Sequence, residues 1–556
     1  MGYARVWLLS LVVFASGAVL AAPIHFNVVL PPSDRGSLDA IATSLRAVKQ
    51  CGIPCVEIPA TWPRIQPTAT TWDFSWLDAQ VDGARARGLD VVLLLGPTPV
   101  WSITYLHKPT AEEARRARPS LTAFRTYVTK VTQRYQNRVK YYRVWQRPSA
   151  GTLLAMPKDI YALYTTAAQA VHAVNPTLRV VASEPGDVEL DWIAGYLKVA
   201  QGSARADILS LCPLRTAHEP RLFWWRVNVL RTRVLPAQRA PELWTEIPID
   251  CSEIPSCLTL VAASLLEDIP AISLVAGSGC NMPLDNQQML SGMQVFCALC
   301  GSQYTGWSQL SEGVYGGIFH GATDTTVLAL PLRAHEVELI HAATPVQRGL
   351  AVPGRSVGVR EINAPAQTID VAVQATVAFS AQPALLTGVL ASATPGTPAI
   401  APERIDGDTL ALDFSGERPN ALHAMREFRG GHFRLGATGD HPLLSTVGDE
   451  NPWIHFEVPD GFLFYNVERV PVAVSVTLAG VHKAQKTGFN LYYDALGGMK
   501  FSPWQWVDVG PDRLFTYTFQ LNDASFADRD GYDFRINKGG SEEELRIVDV
   551  KVRKLR

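Results

Sequence analysis

The sequence has no excess of either charge sign and no basic or acidic tract of the kind that polyelectrolyte-binding proteins carry. Fifty Lys and Arg residues face 52 Asp and Glu residues, which gives a formal net charge of −2 at pH 7. Because the two signs are interspersed, nothing in the charge pattern favours nucleic acid or an anionic membrane as a partner. Neither is predicted.

Long apolar runs are absent except at the N-terminus. Arg5 precedes an apolar run over residues 6–20, and Val19-Leu20-Ala21 resembles a signal-peptidase cleavage site. This pattern predicts a signal peptide over residues 1–21 and a mature chain that begins at Ala22. The alternative is an uncleaved anchor, but the run is short for a membrane span, which needs about 20 residues. We expect a secreted, periplasmic or extracellular protein with no membrane segment after cleavage.

The chain lacks a complete set of cysteine or histidine metal ligands. Cys297 and Cys300 form a CxxC, but no second CxxC or nearby pair of histidines completes a metal site. No metal and no cofactor is therefore predicted. Eight cysteines in an exported chain permit disulfides. Cys251 and Cys257 share one predicted loop and are the favoured pair.

The first half of the chain alternates β-rich apolar runs with amphipathic helical windows, the pattern of a parallel sheet with crossover helices. Residues Phe124, Tyr127, Val128, Val131 and Tyr135 form one apolar stripe of a predicted helix. Eight strands are predicted, over residues 25–30, 54–59, 90–95, 140–145, 179–183, 207–211, 242–246 and 271–275. They predict an α/β class (β/α)8 TIM barrel over residues 22–310, with its site at the C-terminal ends of the strands.

After the barrel, the apolar pattern changes to period two without long helical windows, which is typical of antiparallel sheets. We therefore expect a small β-sandwich over residues 311–390 and a C-terminal β-sandwich over residues 421–556. A Pro- and Ala-rich stretch predicts a linker region over residues 391–420.

The segment Trp145-Gln146-Arg147-Pro148 ends the fourth predicted strand. It resembles the motif Trp-Asn-Glu-Pro of the TIM-barrel retaining glycoside hydrolases, the clan of β-xylosidases, iduronidases and cellulases. The resemblance implies that Arg147 stands at the acid/base position and Gln146 at the position of the Asn. Arginine stays protonated at physiological pH and cannot exchange a proton with a leaving group or water. The chain is thus identified as a divergent member with a substituted acid/base.

Other segments extend the resemblance over most of the barrel. Trp62-Pro63-Arg64-Ile65-Gln66-Pro67 and Thr98-Pro99-Val100-Trp101 resemble the second and third units, and Trp244-Thr245-Glu246 resembles the seventh-strand end. The resemblance implies that Glu246 is the nucleophile position. Cys212 and Leu214 stand where a His and a Tyr face the sugar in the family. Glu57 stands where the family has an Arg beside the nucleophile.

A retaining glycosidase needs two carboxyl groups about 5 Å apart, of which this chain keeps one. A reciprocal exchange of charge would let Glu57 pair with Arg147, and the alternative for Glu57 is a solvated or capped side chain. A relocated acid is the other alternative, with Glu57, Glu184 and Glu219 as candidates. Asp187 lies in the same loop as Glu184 and is a further candidate.

Aromatic side chains form two further candidate surfaces. Trp62, Trp101, Trp145 and Trp244 fall at or just past predicted strand ends, where together they favour an aromatic-lined saccharide cleft. The C-terminal region loosely resembles carbohydrate-binding modules. Its Trp504 and Trp506 form either a sugar platform or, as the favoured interpretation, half of a core.

The sequence thus predicts an exported, glycoside hydrolase-type protein that binds an oligo- or polysaccharide, with retaining hydrolysis impaired or absent because of Arg147. One alternative is an active glycoside hydrolase with Glu246 as nucleophile and a relocated acid. The other is a surface scaffold without a saccharide ligand.

Overall fold

The computed structural model describes most of the chain after the N-terminal segment. The described residues are 25–30, 38–103, 110–148, 153, 155–186, 188–213, 220–236, 238–250, 253–276, 287–311, 313–321, 325–332, 335–341, 350–352, 356–362, 364–371, 374–389, 404–415, 418, 421–425, 427–428, 431–446, 453–466, 469–480, 487–496, 498–510, 513–527, 532–540 and 544–555. The predicted signal peptide, Asp187, Leu214, Glu219 and Cys251 lie outside them.

Eight parallel strands close into a barrel in the order β1 to β8, which confirms the predicted TIM barrel. The strands are β1 (His25–Val29), β2 (Cys55–Thr61), β3 (Asp90–Gly96), β4 (Tyr141–Val144), β5 (Arg179–Ser183), β6 (Ile208–Leu211), β7 (Glu242–Ile249) and β8 (Ala271–Ala276). Each lies within a few residues of its predicted range. The difference that matters is β7, which continues three residues beyond the predicted end at Glu246.

Ten helices accompany the barrel strands in the described residues. They are α1 (Leu38–Cys51), α2 (Trp62–Ile65), α3 (Ser75–Arg85), α4 (Ala111–Arg116), α5 (Leu121–Tyr135), α6 (Pro157–Val174), α7 (Leu190–Val199), α8 (Pro220–Val229), α9 (Ile254–Leu266) and α10 (Gln287–Phe296). In α5 the predicted apolar stripe is buried, as the spacing of three and four residues requires. No described helix has the length and apolar content needed to cross a lipid bilayer.

The residues after the barrel form sheets whose strand pairs are antiparallel apart from one parallel pair, which confirms the predicted β-sandwich domains. The first set is β9 (Gln303–Ser311), β10 (Val314–His320), β11 (Thr325–Pro331), β12 (His335–His341), β13 (Leu350–Val352), β14 (Ser356–Glu361), β15 (Gln367–Asp370), β16 (Gln374–Phe379) and β17 (Ala384–Thr387). Strand β9 begins at Gln303, inside the range that the sequence assigned to the barrel.

The C-terminal sandwich packs a seven-stranded sheet against a six-stranded sheet. Its strands are β18 (Thr409–Ala411), β19 (His423–Met425), β20 (Glu427–Phe428), β21 (Gly431–Thr438), β22 (His441–Thr446), β23 (Trp453–Glu457), β24 (Val472–Ala479), β25 (Thr487–Ala495), β26 (Gly498–Phe501), β27 (Gln505–Trp506), β28 (Leu514–Leu521), β29 (Phe534–Gly540) and β30 (Arg546–Lys554). Strand β18 pairs with β30, so the predicted linker over 391–420 contains residues of this sandwich.

The chain forms two compact units. Ala298–Gly396 belongs to one unit, and Phe26–Cys297 with Thr397–Arg556 forms the other, so the barrel and the C-terminal sandwich share a unit. Within it, Trp225 of α8 packs on Phe464 with a ring separation of 4.2 Å, and the Arg226 guanidinium donates to the Ala527 carbonyl.

Candidate active site in the barrel interior

The barrel interior consists of an apolar floor and a polar layer above it. Side chains alternate between interior and exterior along each strand, so residues two apart face the same way. The floor includes Val92, Val181, Ile208 and Trp244. The side chains that contact one another above it, here named the polar layer, are Glu57, Arg143, Ser183, Ser210, Glu246 and Ser273.

Arg143 is the centre of the polar layer and is completely buried. Its Nε donates to Glu57 Oε2 at 3.0 Å, and its Nη1 donates to Glu246 Oε2 at 3.0 Å. Nη1 also lies within hydrogen-bond distance of the hydroxyls of Ser183 at 3.1 Å and Ser210 at 2.7 Å, and Nη2 donates to the Ser273 hydroxyl at 2.6 Å. One guanidinium on β4 therefore contacts side chains of five other strands, β2, β5, β6, β7 and β8.

The two carboxylates of the polar layer have different surroundings. Burial raises the pKa of Glu57 to about 7, the Arg143 guanidinium acts in the opposite direction, and the nearby Glu246 carboxylate raises it. Glu246 contacts a second cation in addition to Arg143, since Arg147 Nε lies 3.3 Å from Glu246 Oε1. The N–H of Arg147 does not point at that oxygen, so this contact is an ion pair without a hydrogen bond.

Arg147 follows a strained turn at the end of β4. Trp145 has φ 46° and Arg147 has φ 41°, values in the left-handed region that side chains other than glycine rarely adopt. Backbone strain of this kind costs about 1–3 kcal/mol per residue and concentrates at functional sites. The turn brings the Arg147 side chain, 20% exposed, against the buried Glu246. The residues predicted at the acid/base position and at the nucleophile position therefore meet as an ion pair.

The hypothesis of a charge exchange required an ion pair between Glu57 and Arg147. The two side chains form no such pair. Glu57 pairs with Arg143, and Arg147 pairs with Glu246. The reason lies in strand register, because Glu57 is level with Val92 and Val92 with Tyr141. Arg147 lies three residues past the end of β4, beyond the turn at Trp145, and its guanidinium contacts Glu246. Arg143 is only two residues past Tyr141 and faces the same interior.

Gln146 and Trp145 line a cavity of about 210 Å³ beside the ends of β1 to β4, together with Val29, Pro59, Leu94 and Arg115. This is below the roughly 300–1,000 Å³ of ordinary ligand pockets. The Trp145 indole is buried against Gly96 and Phe124, and within the described chain its Nε1–H has no hydrogen-bond acceptor. A buried indole N–H is a donor that a ligand hydroxyl would satisfy.

The four candidate tryptophans do not line one cleft. Trp62 is fully buried, stacks on Tyr127 at 4.6 Å and donates to Gln66 Oε1, so it belongs to the core. Trp244 is also fully buried, because it lies in the floor beneath Arg143 rather than at the end of its strand. Trp101 is partly exposed and donates to the Gln66 carbonyl. Only Trp145 borders the cavity described above.

Glu184, a candidate relocated acid, faces away from the polar layer. Its neighbour Ser183 contacts Arg143, so alternation directs Glu184 to the outside of the barrel. Its carboxyl accepts backbone N–H bonds from Gly186, Val188, Glu189 and Cys212. Burial raises its pKa to about 8, and the backbone donors act in the opposite direction. Glu184 thus fastens its loop to the end of β6. Glu219, the other candidate, lies outside the described residues.

The described cysteines form no metal site. Among the residues that the structure describes, no three His, Cys, Asp or Glu side chains are grouped in a way that would hold a metal ion. Cys257 is buried, and its predicted partner Cys251 lies outside the described part of the chain. Cys212, at the position of a family His, is buried at the end of β6.

Comparison with known proteins agrees with the geometry of the barrel. The β-galactosidase family of glycoside hydrolases, family 42, matches residues 33–143, which begin after β1 and end within β4. The barrel is glycoside hydrolase-like. The resemblance that the motifs predict is confirmed at this level, whereas the substituted acid/base position stays a prediction about chemistry.

Solved structures of similar fold come from several glycoside hydrolase families. A family 39 glycoside hydrolase from Bacteroides cellulosilyticus is 15% identical, with 66% of this chain and 81% of that chain covered and a TM-score of 0.48. A family 30 endoxylanase from Clostridium papyrosolvens is 14% identical, with 67% and 98% covered and a TM-score of 0.49. A family 39 β-xylosidase from Caulobacter crescentus is 15% identical, with 65% and 99% covered and a TM-score of 0.45. Likeness at this level says nothing about the reaction.

The C-terminal sandwich carries an exposed aromatic surface on β26, β27 and the segment between them. Trp504 is 37% exposed, Trp506 52% and Phe501 63%, and the two indoles lie 5.9 Å apart. The favoured interpretation, in which these tryptophans form half of a core, is wrong, because the core of this sandwich is closed by other side chains. The Trp504 indole lies directly on Gly488 and Gly539, where any Cβ would collide with it.

Arg143 was not among the site residues predicted from the sequence, although the sequence contains a signal for it. Tyr141, Arg143 and Trp145 alternate along one predicted strand and so face one way, which places a cation in the barrel interior. Small polar residues at Ser210 and Ser273, inside otherwise apolar strands, are the matching signal. A buried arginine requires partners of this kind, because an unpaired buried charge is prohibitively costly.

Proposed function

We propose that the barrel binds a saccharide at the C-terminal ends of its strands and does not carry out retaining hydrolysis. The observation that carries the proposal is the ion pair of Arg147 with Glu246. Retaining hydrolysis needs a carboxyl group at the position of Arg147 that first gives a proton and then removes one from water. A guanidinium does neither, since it stays protonated.

The state of Glu246 supports the same conclusion. Its carboxylate lies between two guanidiniums, those of Arg143 and Arg147, and is itself fully buried. Two cations stabilise the carboxylate and lower its tendency to attack an anomeric carbon. The residue at the nucleophile position thus acts as a structural anion.

The binding half of the proposal rests on two surfaces. Trp145 borders the cavity near Gln146, its buried indole N–H has no acceptor in the described chain, and this cavity has room for part of a saccharide. Trp504, Trp506 and Phe501 offer exposed ring faces on the C-terminal sandwich. Aromatic faces bind the apolar faces of sugar rings, and their energetic contribution does not depend on catalysis. The proposed partner is therefore an oligo- or polysaccharide.

The proposal includes export. The run over residues 6–20 and the Val19-Leu20-Ala21 site favour a signal peptide and a periplasmic or extracellular location. Protein recovered from the native host should begin at Ala22. Cytoplasmic protein with an intact N-terminus would refute this part of the proposal.

Calorimetric binding and turnover, measured on the same sample, test the function. We expect the unmodified protein to bind a neutral xylo- or gluco-oligosaccharide, and to lose affinity on Trp145→Ala. Hydrolysis should fall below that of a retaining enzyme by the share that proton transfer supplies, roughly a hundred- to ten-thousand-fold. Robust hydrolysis of a natural polysaccharide would overturn the proposal, and absence of any saccharide binding would favour a scaffold without a saccharide ligand.

One observation favours an active glycoside hydrolase as a second candidate. The pKa of Glu57 is raised to about 7, the range in which general acids operate. Against it, Glu57 is completely buried and held by Arg143. An aryl glycoside with a good leaving group distinguishes the two candidates, since it needs no acid. Turnover of natural substrates that disappears in Glu57→Gln would establish this second function.

A further inference from the structure

A groove between the barrel and the C-terminal sandwich has a charge that the chain as a whole does not have. It encloses about 950 Å³ between α7, the segment after α8 and the sandwich residues around Tyr465. Among the lining residues that the structure describes, five are cations and one is a carboxylate: Lys198, Arg205, Arg233, Arg239, Arg469 and Asp191. The described lining thus has an excess of positive charge, whereas the chain as a whole has a net charge of −2.

The cations of the groove have few internal partners. Within the described part of the chain, Lys198, Arg233, Arg239 and Arg469 form no side-chain ion pair. The Arg205 guanidinium donates to the Arg239 carbonyl and not to a carboxylate. The Asp191 carboxylate accepts a hydrogen bond from the Tyr465 hydroxyl at 2.9 Å, which links α7 to the sandwich. Like charges held close together repel one another. An anion bound in the groove would reduce this repulsion.

The backbone around the groove is irregular at the residues that supply the charge. Arg239, Tyr465 and Arg469 have φ values of 57°, 51° and 52°. Arg233 lies in a five-residue π-helical segment, Leu230–Val234. Left-handed residues and π-helical turns cost stability and are concentrated at functional sites. The strained turn of Trp145 and Arg147 at the barrel site is of the same kind.

We propose that this groove is a second binding site, separate from the barrel cleft, for an acidic oligosaccharide that carries carboxylate or sulfate groups. Its volume lies within the range of ligand pockets. Cations from both sides, Arg233 from the barrel and Arg469 from the sandwich, would contact successive anionic groups along a chain. The exposed side-chain amides of Gln201 and Gln238 would contact its hydroxyls. The choice of a saccharide over other polyanions rests on the proposed function.

Charge-reversal variants test the groove. Arg233→Glu and Arg469→Glu each reverse one exposed cation, and Arg360→Glu makes the same change on the exposed face of β14. The probes are tetragalacturonate for carboxylates, a sulfated heparin tetrasaccharide for sulfates, a neutral tetrasaccharide and a short single-stranded DNA. Calorimetry at about 50 and about 200 mM salt gives the affinities, and thermal unfolding checks that each variant is folded.

At least one acidic oligosaccharide should bind and lose roughly tenfold or more in affinity with each groove variant, since a charge-assisted hydrogen bond is worth about that factor. Arg360→Glu should leave the affinity unchanged, and the higher salt should weaken binding. The carboxylated and sulfated probes identify which anion the groove prefers. Absence of acidic-oligosaccharide binding, or equal affinity in the groove variants and the control, would overturn the proposal. Tighter binding of the DNA than of both acidic oligosaccharides would overturn the ligand class.

The groove and the barrel cleft can fail separately. Trp145→Ala, which alters the cleft, should leave acidic-oligosaccharide binding intact. If neutral saccharides do not bind at all, the barrel proposal fails while the groove is still judged by Arg233→Glu and Arg469→Glu. A loss of acidic-oligosaccharide binding in Trp145→Ala of the same size as in the groove variants would show that there is one site and not two.

Discussion

Replacement of Arg143 by methionine should destabilise the barrel more than any surface charge change. Methionine has a similar length and no charge, so the substitution leaves little cavity. It removes the partner of both Glu57 and Glu246 and the donors of three serine hydroxyls. Two carboxylates then share one buried layer, with only Arg147 beside Glu246.

The magnitude follows from burial. Breaking a buried ion pair by removing one partner costs about 3–5 kcal/mol, because the other charge remains buried without compensation. A domain is stable by only about 5–15 kcal/mol, so the loss is a large fraction of the total. The exposed pair of Arg85 and Asp90, at 2.7 Å with side chains 46% and 75% exposed, is the matched control. Arg85→Met should cost less than about 1 kcal/mol.

Urea unfolding at pH 8 and pH 5 measures the effect. Burial raises the pKa of Glu57 and Arg143 lowers it, so in Arg143→Met a lower pH should protonate Glu57 and recover part of the loss. Adding Glu57→Gln should also recover part of it, as a coupled pair requires. A loss in Arg143→Met no larger than in Arg85→Met, or a loss that is the same at both pH values, would refute the central role of Arg143.

Three further outcomes are expected. Glu57 has a folded pKa of about 7 against 4.5 when unfolded, so its contribution to stability is largest below pH 4.5 and is lost as the pH rises through 7. Glu57→Gln should remove this pH dependence, which amounts to up to about 3 kcal/mol in the free energy of unfolding measured as a function of pH. Trp62→Ala should lower the free energy of unfolding by about 3–5 kcal/mol, since Trp62 is core, and a purely functional effect would contradict this. Trp506→Ala should weaken retention on insoluble polysaccharide while leaving urea unfolding unchanged, and unchanged retention would exclude this surface.

The sequence was sufficient to predict the barrel, because its strands are continuous apolar β-rich runs separated by helical windows. It also placed Arg147 and Glu246 at strand ends of one site, and the structure brings the two side chains together. These positions follow strand ends with recognisable flanking residues. Local patterns of this kind can be recognised in a single sequence.

Contacts between strands could not be predicted in the same way. Arg143 lies 86 residues from Glu57 and 103 residues from Glu246, and the sequence does not state the register that joins them. The tryptophans were misplaced for a related reason. Trp244 falls near the end of the predicted β7, but the strand continues to Ile249, so its indole lies in the floor.

Both guanidiniums of the site contact Glu246. Arg143 on β4 contacts Glu246 Oε2, and Arg147, which follows the turn after β4, contacts Glu246 Oε1. Arg143 also contacts Glu57. The site thus combines two carboxylates with two guanidiniums. Converting Arg147 to Glu alone would place three carboxylates around Arg143, so restoring an acid to this barrel requires the charge of Glu57 to change with it.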